Sequence, residues 1–231
     1  MQKYAIHLLS KTQLSPDCWQ FNYTLPEGFS YQAGQYVLWE IPHTNPDNRG
    51  TKRLFTIASS PKEKQIIFIS KFSTPSSTFK QAMLAQDLGA ENQISGPLGD
   101  FTLPTDVNLP LVYIASGVGC ASFRTLLEED NSRPITMFYA NQFANNFPLL
   151  DYFRQQPITF FPFLTREEKS GFQNGYFTAE FFQKSIPQLN SCVYYLCGGA
   201  KMIQATAQIL TNLGVDPKKI KRDIYTGYLE A

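Results

Sequence analysis

Only two histidines, His7 and His43, and four cysteines, Cys18, Cys120, Cys192 and Cys197, occur in the 231 residues. No two cysteines stand as C-x-x-C, so a zinc ribbon or iron–sulfur centre built from this chain is not expected. A chain of this length has no need of disulfides. No apolar stretch approaches about 18 residues, and no N-terminal apolar run follows basic residues. A soluble, cytoplasmic chain without a membrane span is expected. One-sided charge is missing too. The 20 basic and 19 acidic residues leave a net +1, and they balance on either side of residue 103. A general nucleic-acid binder therefore lacks its electrostatic footprint. The one basic cluster is Lys218, Lys219, Lys221 and Arg222, which by itself reads as a solvated face.

What is plentiful is aromatic: 14% of the chain, with 19 Phe and 12 Tyr, enough for large cores or aromatic-lined pockets. The first hundred residues read as strands. Tyr4–Gln13, Cys18–Leu25, Gln35–Pro42, Arg53–Ser60, Gln65–Phe72 and Glu91–Phe101 are rich in β-branched and aromatic residues. Turn material such as Pro26-Glu27-Gly28 and the polar stretch His43–Lys52 separates them. One helix is predicted over Ser77–Gln86, capped by Ser76 or Ser77. Closely spaced strands with one helix suggest a small closed barrel. Beyond Pro104 and Pro110 the pattern changes. Leu109–Ser116 is almost continuously apolar, as in a strand buried on both faces. Predicted helices at Phe123–Glu129, Phe147–Gln156, Thr178–Ser185 and Lys201–Leu213 alternate with strands at Ile135–Ala140, Ile158–Leu164, Val193–Cys197 and Lys219–Tyr225. Such alternation argues for an open parallel sheet. The expected domains are 1–103 and 104–231.

Three segments carry candidate chemistry. In Ser116-Gly117-Val118-Gly119-Cys120-Ala121, at the end of the first parallel strand, two glycines allow a sharp turn and close approach to a pyrophosphate. The helix that follows offers free N–H groups. Taken alone, a tight strand-to-helix turn accounts for it equally well, because Ser122 holds the third glycine position and no acidic ribose ligand follows the second strand, which ends at Asn141-Gln142. In Cys197-Gly198-Gly199-Ala200-Lys201-Met202, a thiol and two glycines at a strand end make a narrow ledge for a flat ring. Cys197 as a small buried residue is the plainer reading. In Arg53-Leu54-Phe55-Thr56, Arg suits a phosphate, Phe a flat ring and Thr a hydrogen bond to a ring heteroatom.

Together these segments resemble the ferredoxin–NADP reductase family over nearly the whole chain and in the right order. Ala33-Gly34-Gln35-Tyr36 is similar to its early G-Q-Y strand, and Arg53–Thr56 resembles its R-x-Y-S/T flavin signature. Ser77-Thr78-Phe79-Lys80 is similar to its flavin-pyrophosphate helix start, and Gly96-Pro97-Leu98-Gly99-Asp100-Phe101 to its G-P-x-G-x-F turn. Gly117–Phe123 is similar to the nicotinamide loop, Cys197–Met202 to C-G-P-x-x-M, and Asp223-Ile224-Tyr225 to a terminal Glu-x-aromatic. Four departures stand out: Phe55 for Tyr, Ser122 for Pro, Gly199-Ala200 for a Pro-containing pair, and Asp223 for Glu.

The resemblance implies a six-stranded antiparallel FAD-binding barrel followed by a five-stranded parallel NAD(P)-binding domain. Arg53, Leu54, Phe55, Thr56, Lys71, Ser77 and Thr78 would hold FAD, and Tyr225 would cover its other face. Gly117, Val118, Gly119, Asn141, Arg166, Cys197, Gly198, Gly199 and Met202 would hold NADH or NADPH. Thr56, Cys197 and Asp223 are the implied catalytic groups. The implied activity is hydride transfer from NAD(P)H to FAD, then single electrons to a separate acceptor such as ferredoxin or flavodoxin, with the cluster Lys218–Arg222 as a docking point. An NAD(P)H-dependent reductase of free flavin, ferric chelates or quinones, and a non-catalytic module of the same shape, are the rival readings.

Overall fold

The structure, a computed structural model, describes residues 1–224. The chain divides into two compact units. One comprises Met1–Leu103 with Arg124–Glu129, the other Pro104–Phe123 with the described residues from Asp130 onward.

In the first unit β1 (Lys3–Ser15), β2 (Cys18–Thr24), β3 (Tyr36–Glu40), β4 (Lys52–Thr56) and β5 (Gln65–Lys71) precede helix α1 (Thr78–Ala85), and β6 (Glu91–Leu98) follows it. They form one six-stranded sheet in the order β4-β3-β6-β1-β2-β5, antiparallel at every pairing. The edges meet just past β4, where the Ala58 N–H donates to the Ile67 carbonyl at 2.8 Å and the Ile67 N–H to Ser59 Oγ at 3.0 Å. The sheet thus closes as the expected barrel. Alternation along β1–β3 turns Ile6, Leu8, Phe21, Tyr23, Val37 and Trp39 inward, and Phe68 and Ile94 complete the core. Gly34, at φ 92°, takes a conformation open to glycine, and a Cβ there would overlap the Phe101 carbonyl oxygen.

In the second unit β7 (Leu111–Ser116), α2 (Cys120–Glu129, shared with the first unit), β8 (Ile135–Asn141), α3 (Leu150–Arg154), β9 (Thr159–Leu164), β10 (Gln173–Asn174), α4 (Ala179–Ser185), β11 (Val193–Gly198), α5 (Ala200–Asn212) and β12 (Ile220–Ile224) alternate as expected. The sheet order is β10-β9-β8-β7-β11-β12, parallel throughout. It has six strands where five were expected. The additional one, β10, is two exposed polar residues, too short to carry a hydrophobic period. The helix expected over Phe147–Gln156 shrinks to Leu150–Arg154 because Leu149 adopts a left-handed conformation, φ 62°, just ahead of it. β11 is buried end to end and β7 from Leu111 to Ala115, as their apolar runs demand.

Candidate functional site

The carboxyl ends of β7 and β11 lie side by side in register, Ala115 opposite Cys197. The glycines there do different work. Gly117, at φ 52°, makes the turn, and a Cβ on it would meet nothing within 4 Å. Gly119 is a close-packing position: a Cβ would overlap the Cys197 carbonyl oxygen and lie 2.6 Å from its carbon and 2.8 Å from the Gly198 nitrogen. Gly198, at φ 144°, has its Cβ direction filled by Ser116 Oγ, whereas Gly199 has open space. The Gly199 N–H donates to Ser116 Oγ at 3.3 Å. The result is a ledge of bare backbone with room above Gly117 and Gly199, at the amino ends of α2 and α5. Anionic groups are favoured at such ends. The Tyr139 hydroxyl lies 2.9 Å from the Gly117 carbonyl and 3.1 Å from that of Pro148. It holds the Gly117 carbonyl toward the core, and because the peptide is trans its N–H, that of Val118, faces the opposite way.

Beside the ledge, β12 runs parallel to β11 with Asp223 opposite Cys197. The Ser122 hydroxyl, in the first turn of α2, sits 3.2 Å from Asp223 Oδ2 and 3.3 Å from Cys197 Sγ, and the thiol is 3.7 Å from the same carboxylate oxygen. Ser122 and Cys197 are fully buried. Two implied catalytic groups, Cys197 and Asp223, are therefore brought together, with a serine between them that the sequence marked only as a departure.

Other expected nucleotide ligands are differently employed. Asn141 is buried, its amide donating to the Asn146 carbonyl at 2.7 Å, so that side chain holds the loop after β8. Val118 is buried, and its carbonyl accepts the Cys120 N–H, so its side chain is not a ligand-facing group. Met202 packs against the core and its sulfur accepts from Thr206. Arg166 is exposed just past β9, while the adjacent Glu167 accepts the Ala144 N–H at 2.7 Å. Tyr225 lies outside the described residues.

In the barrel, Arg53 and Phe55 share one face of β4. The Arg53 guanidinium lies 5.2 Å over the Phe79 ring, and Phe79 stacks on Phe55 with centroids 5.8 Å apart. Phe55 also meets Trp39 and Phe68 edge-on, so it is anchored on the core and half-buried. Leu54, on the opposite face, is exposed. Thr56 is buried although alternation would expose it, because the strand ends there. Ser77 caps α1 by accepting the Lys80 N–H, and Thr78 Oγ1 accepts the Asp47 N–H at 3.0 Å. Lys71 pairs with Asp17 at 3.0 Å, and Lys80, whose amine burial pushes down to about 8, donates to the Lys71 carbonyl.

Sequence reasoning missed two residues here. His43, read as isolated, places Nε2 3.3 Å from Thr78 Oγ1 while Nδ1 is 2.8 Å from the Ile41 carbonyl. Asp47 accepts from Arg53 at 2.6 Å. Both belong to the polar stretch His43–Lys52, which tethers itself to β4 and α1. The available signal was a long polar loop immediately before an arginine that suits a phosphate. A buried Arg53 Nε has no hydrogen-bond partner among the described residues, an unmet donor beside a helix start. The residues fit an anionic ligand with a flat ring. Among the described residues no cluster of three metal-ligating side chains occurs, and no helix is long and apolar enough to cross a membrane.

Residues 113–208 match the family model described as the oxidoreductase NAD-binding domain. The chain is 26% identical to the reductase subunit of an aromatic O-demethylase from an Amycolatopsis species, over 87% of this chain and 63% of that protein. It spans less than two thirds of the length of the curated relatives it matches. Its fold superposes on a ferredoxin NADP+ reductase from Neisseria gonorrhoeae, solved with bound FAD and NADP, at a TM-score of 0.83. The identity is 18%, covering 97% of this chain and 99% of that one. On an Amycolatopsis cytochrome P450 reductase the TM-score is 0.84 and the identity 22%, covering 97% of this chain and 70% of that one.

Proposed function

We propose that this chain, whose residues 113–208 match an oxidoreductase NAD-binding domain and whose fold is that of a ferredoxin NADP+ reductase, passes electrons from NAD(P)H through bound FAD to a separate acceptor. Residues 1–103 are the FAD-binding domain in this reading and 104–231 the nucleotide-binding domain. The observation that carries it is the bare ledge at Gly117 and Gly199, with open space over both, inside the segment that matches the NAD-binding domain.

The flavin, when bound, supplies the ability to take a hydride and return electrons one at a time. The chain's own residues bind and orient. The Arg53 guanidinium and the first turn of α1, with Ser77 and Thr78, suit the flavin phosphates. Phe55, held from behind by Trp39 and Phe68, supports a flat ring, and Thr56 offers a hydrogen bond near the reacting nitrogen. Lys71 and Leu54 flank this site. On the nucleotide side the Val118 N–H and the amino end of α5 receive the pyrophosphate, while Cys197 and Asp223 border the nicotinamide. Holding the reacting atoms at about 3–3.5 Å is the largest effect such positioning supplies.

The acceptor in this reading is a separate ferredoxin- or flavodoxin-like protein or domain. The basic cluster offers it less than its sequence suggested. Lys219 donates to the Asn190 carbonyl and Lys221 lies 5.3 Å over the Tyr195 ring, leaving Lys218 and Arg222 as the exposed charges.

The test is a visible spectrum of the purified protein before and after incubation with FAD, followed by anaerobic addition of NADH or NADPH. A yellow protein bleached by either nucleotide is expected. A colourless protein that takes up no FAD overturns the reading.

A further inference from the structure

We infer that Ser122 is a positioning residue that joins the Cys197 thiol and the Asp223 carboxylate into one oriented hydrogen-bonded unit. The inference deepens the proposed function and rests on it. An ionised carboxylate only accepts, and a hydroxyl has one hydrogen. At 3.2 Å the Ser122 O–H therefore donates to Asp223 Oδ2, and its oxygen is left to accept. The Cys197 thiol, 3.3 Å away, is then the donor to Ser122. The thiol's one hydrogen has two acceptors in reach, and the hydroxyl oxygen at 3.3 Å is nearer than the carboxylate oxygen at 3.7 Å, which gives the order thiol, hydroxyl, carboxylate. In that order the thiol hydrogen is aimed at Ser122. The direct contact between thiol and carboxylate, 3.7 Å, is the longest side of the triangle, so the hydroxyl is the shorter link.

Three features of the fold put the hydroxyl there. Cys197 and Asp223 are register neighbours on adjacent strands, which fixes their spacing. Gly119 lets the start of α2 press against the end of β11, and Ser122 lies three residues further along the same turn. Ser122 is fully buried, so its oxygen and hydrogen are met by protein groups. A proline at this position would be tolerated by a first helical turn but would bring no hydroxyl. Asp223, one methylene shorter than a glutamate, is met by a side chain that extends toward it.

Ser122→Ala tests this with two readouts. The first is the infrared S–H stretching band of Cys197, identified as the band lost in Cys197→Ser, recorded on the purified wild type and variant. It is expected to move to higher frequency when the hydroxyl acceptor is removed. The second is the rate at which NAD(P)H reduces the bound flavin, by stopped flow. A fall of about tenfold is expected, the scale of one lost hydrogen bond in a barrier, with the nucleotide Kd changed by less than about twofold. A band that stays in place, a rate that stays in place, or a loss confined to Kd each overturns the inference. Wild-type protein that NAD(P)H does not reduce marks a failure of the proposed function instead, and the band then reports on the thiol–hydroxyl bond by itself.

Discussion

Replacing Gly119 by alanine should destabilise the second unit, whereas the same change at Gly199 should not, although both glycines lie within the same strand-end ledge. At Gly119 the added carbon would overlap the Cys197 carbonyl oxygen and stand 2.6 Å from its carbon, well inside ordinary contact. The obstacle is backbone of β11, clamped between β7 and β12, so α2 must lift instead. Overpacking of this kind costs roughly 1–3 kcal/mol, and the immobility of the neighbour places Gly119→Ala near the upper end. The more restricted unfolded chain returns up to about 1 kcal/mol. A net loss of about 2 kcal/mol lowers Tm by roughly 6–10 °C for a unit of this size. At Gly199 the backbone, φ −69° and ψ 142°, suits any residue, and no atom lies within 4 Å of the added carbon. Replacing an N-cap glycine costs under about 1 kcal/mol. The methyl would stand in the proposed ligand space, so KM for NAD(P)H should rise about tenfold or more. Differential scanning calorimetry with steady-state kinetics on the two variants gives the contrast. If Gly119→Ala keeps its Tm within about 2 °C, or Gly199→Ala loses as much as Gly119→Ala, the assignment of packing to one glycine and ligand space to the other is wrong.

Other consequences can be measured on the same protein. Tyr139→Phe keeps the ring contacts with Phe147 and Phe153 but removes the hydroxyl at the Gly117 carbonyl; KM for NAD(P)H should rise about 3–10-fold with kcat unchanged, and an unchanged KM would refute the anchoring role. The Asp130 carboxyl is held down at about 2 by the Ser132 hydroxyl and N–H and by Arg133, against burial. Its unfolded value is about 3.9, so its stabilisation is complete above that pH and is lost as pH falls toward 2. Asp130→Asn should cost roughly 1–3 kcal/mol at neutral pH, because the buried Arg133 loses its carboxylate, and should flatten the acid limb of a Tm–pH curve between about 4 and 2. Arg166→Ala should raise KM for NADPH about tenfold while sparing NADH, since a charge-assisted phosphate contact contributes on that scale; equal effects on both nucleotides would remove Arg166 from the site.

The parts of this fold legible in the sequence are those where one period dominates. β7 and β11 are apolar end to end, and α5 repeats Ile203, Ala207 and Leu210 on one buried face, so both classes of element could be placed to within a few residues. Elements set by tertiary context could not. β10 is two polar residues whose strand character comes entirely from pairing with β9. The short α3 follows a left-handed Leu149, which no propensity of leucine suggests. At the sites, types of chemistry were legible and partnerships were not. Arg53 read as a phosphate ligand, but its pairing with Asp47 depends on how the polar loop folds back. Asn141 stood at the right strand end, yet its amide turns to its own loop. Ser122 registered only as a missing glycine or proline, because the groups it meets lie 75 and 101 residues away.

The glycine loop after β7 shows why a motif underdetermines a site. Read as letters, its two glycines serve one purpose, the approach of a pyrophosphate. In the structure only Gly117 is shaped by the turn and leaves room for a ligand, while Gly119 is shaped by its contact with β11. That contact seats the first turn of α2 on the strand end and so carries Ser122 to Cys197 and Asp223. In the proposed function one loop therefore serves binding through its first glycine and orientation of Cys197 and Asp223 through its second, with Tyr139 fixing the peptide between them. Affinity and rate should accordingly separate by position along six residues. Changes at Gly117 or Tyr139 act on how the nucleotide is held, and changes at Gly119 or Ser122 act on the groups that border its reactive ring.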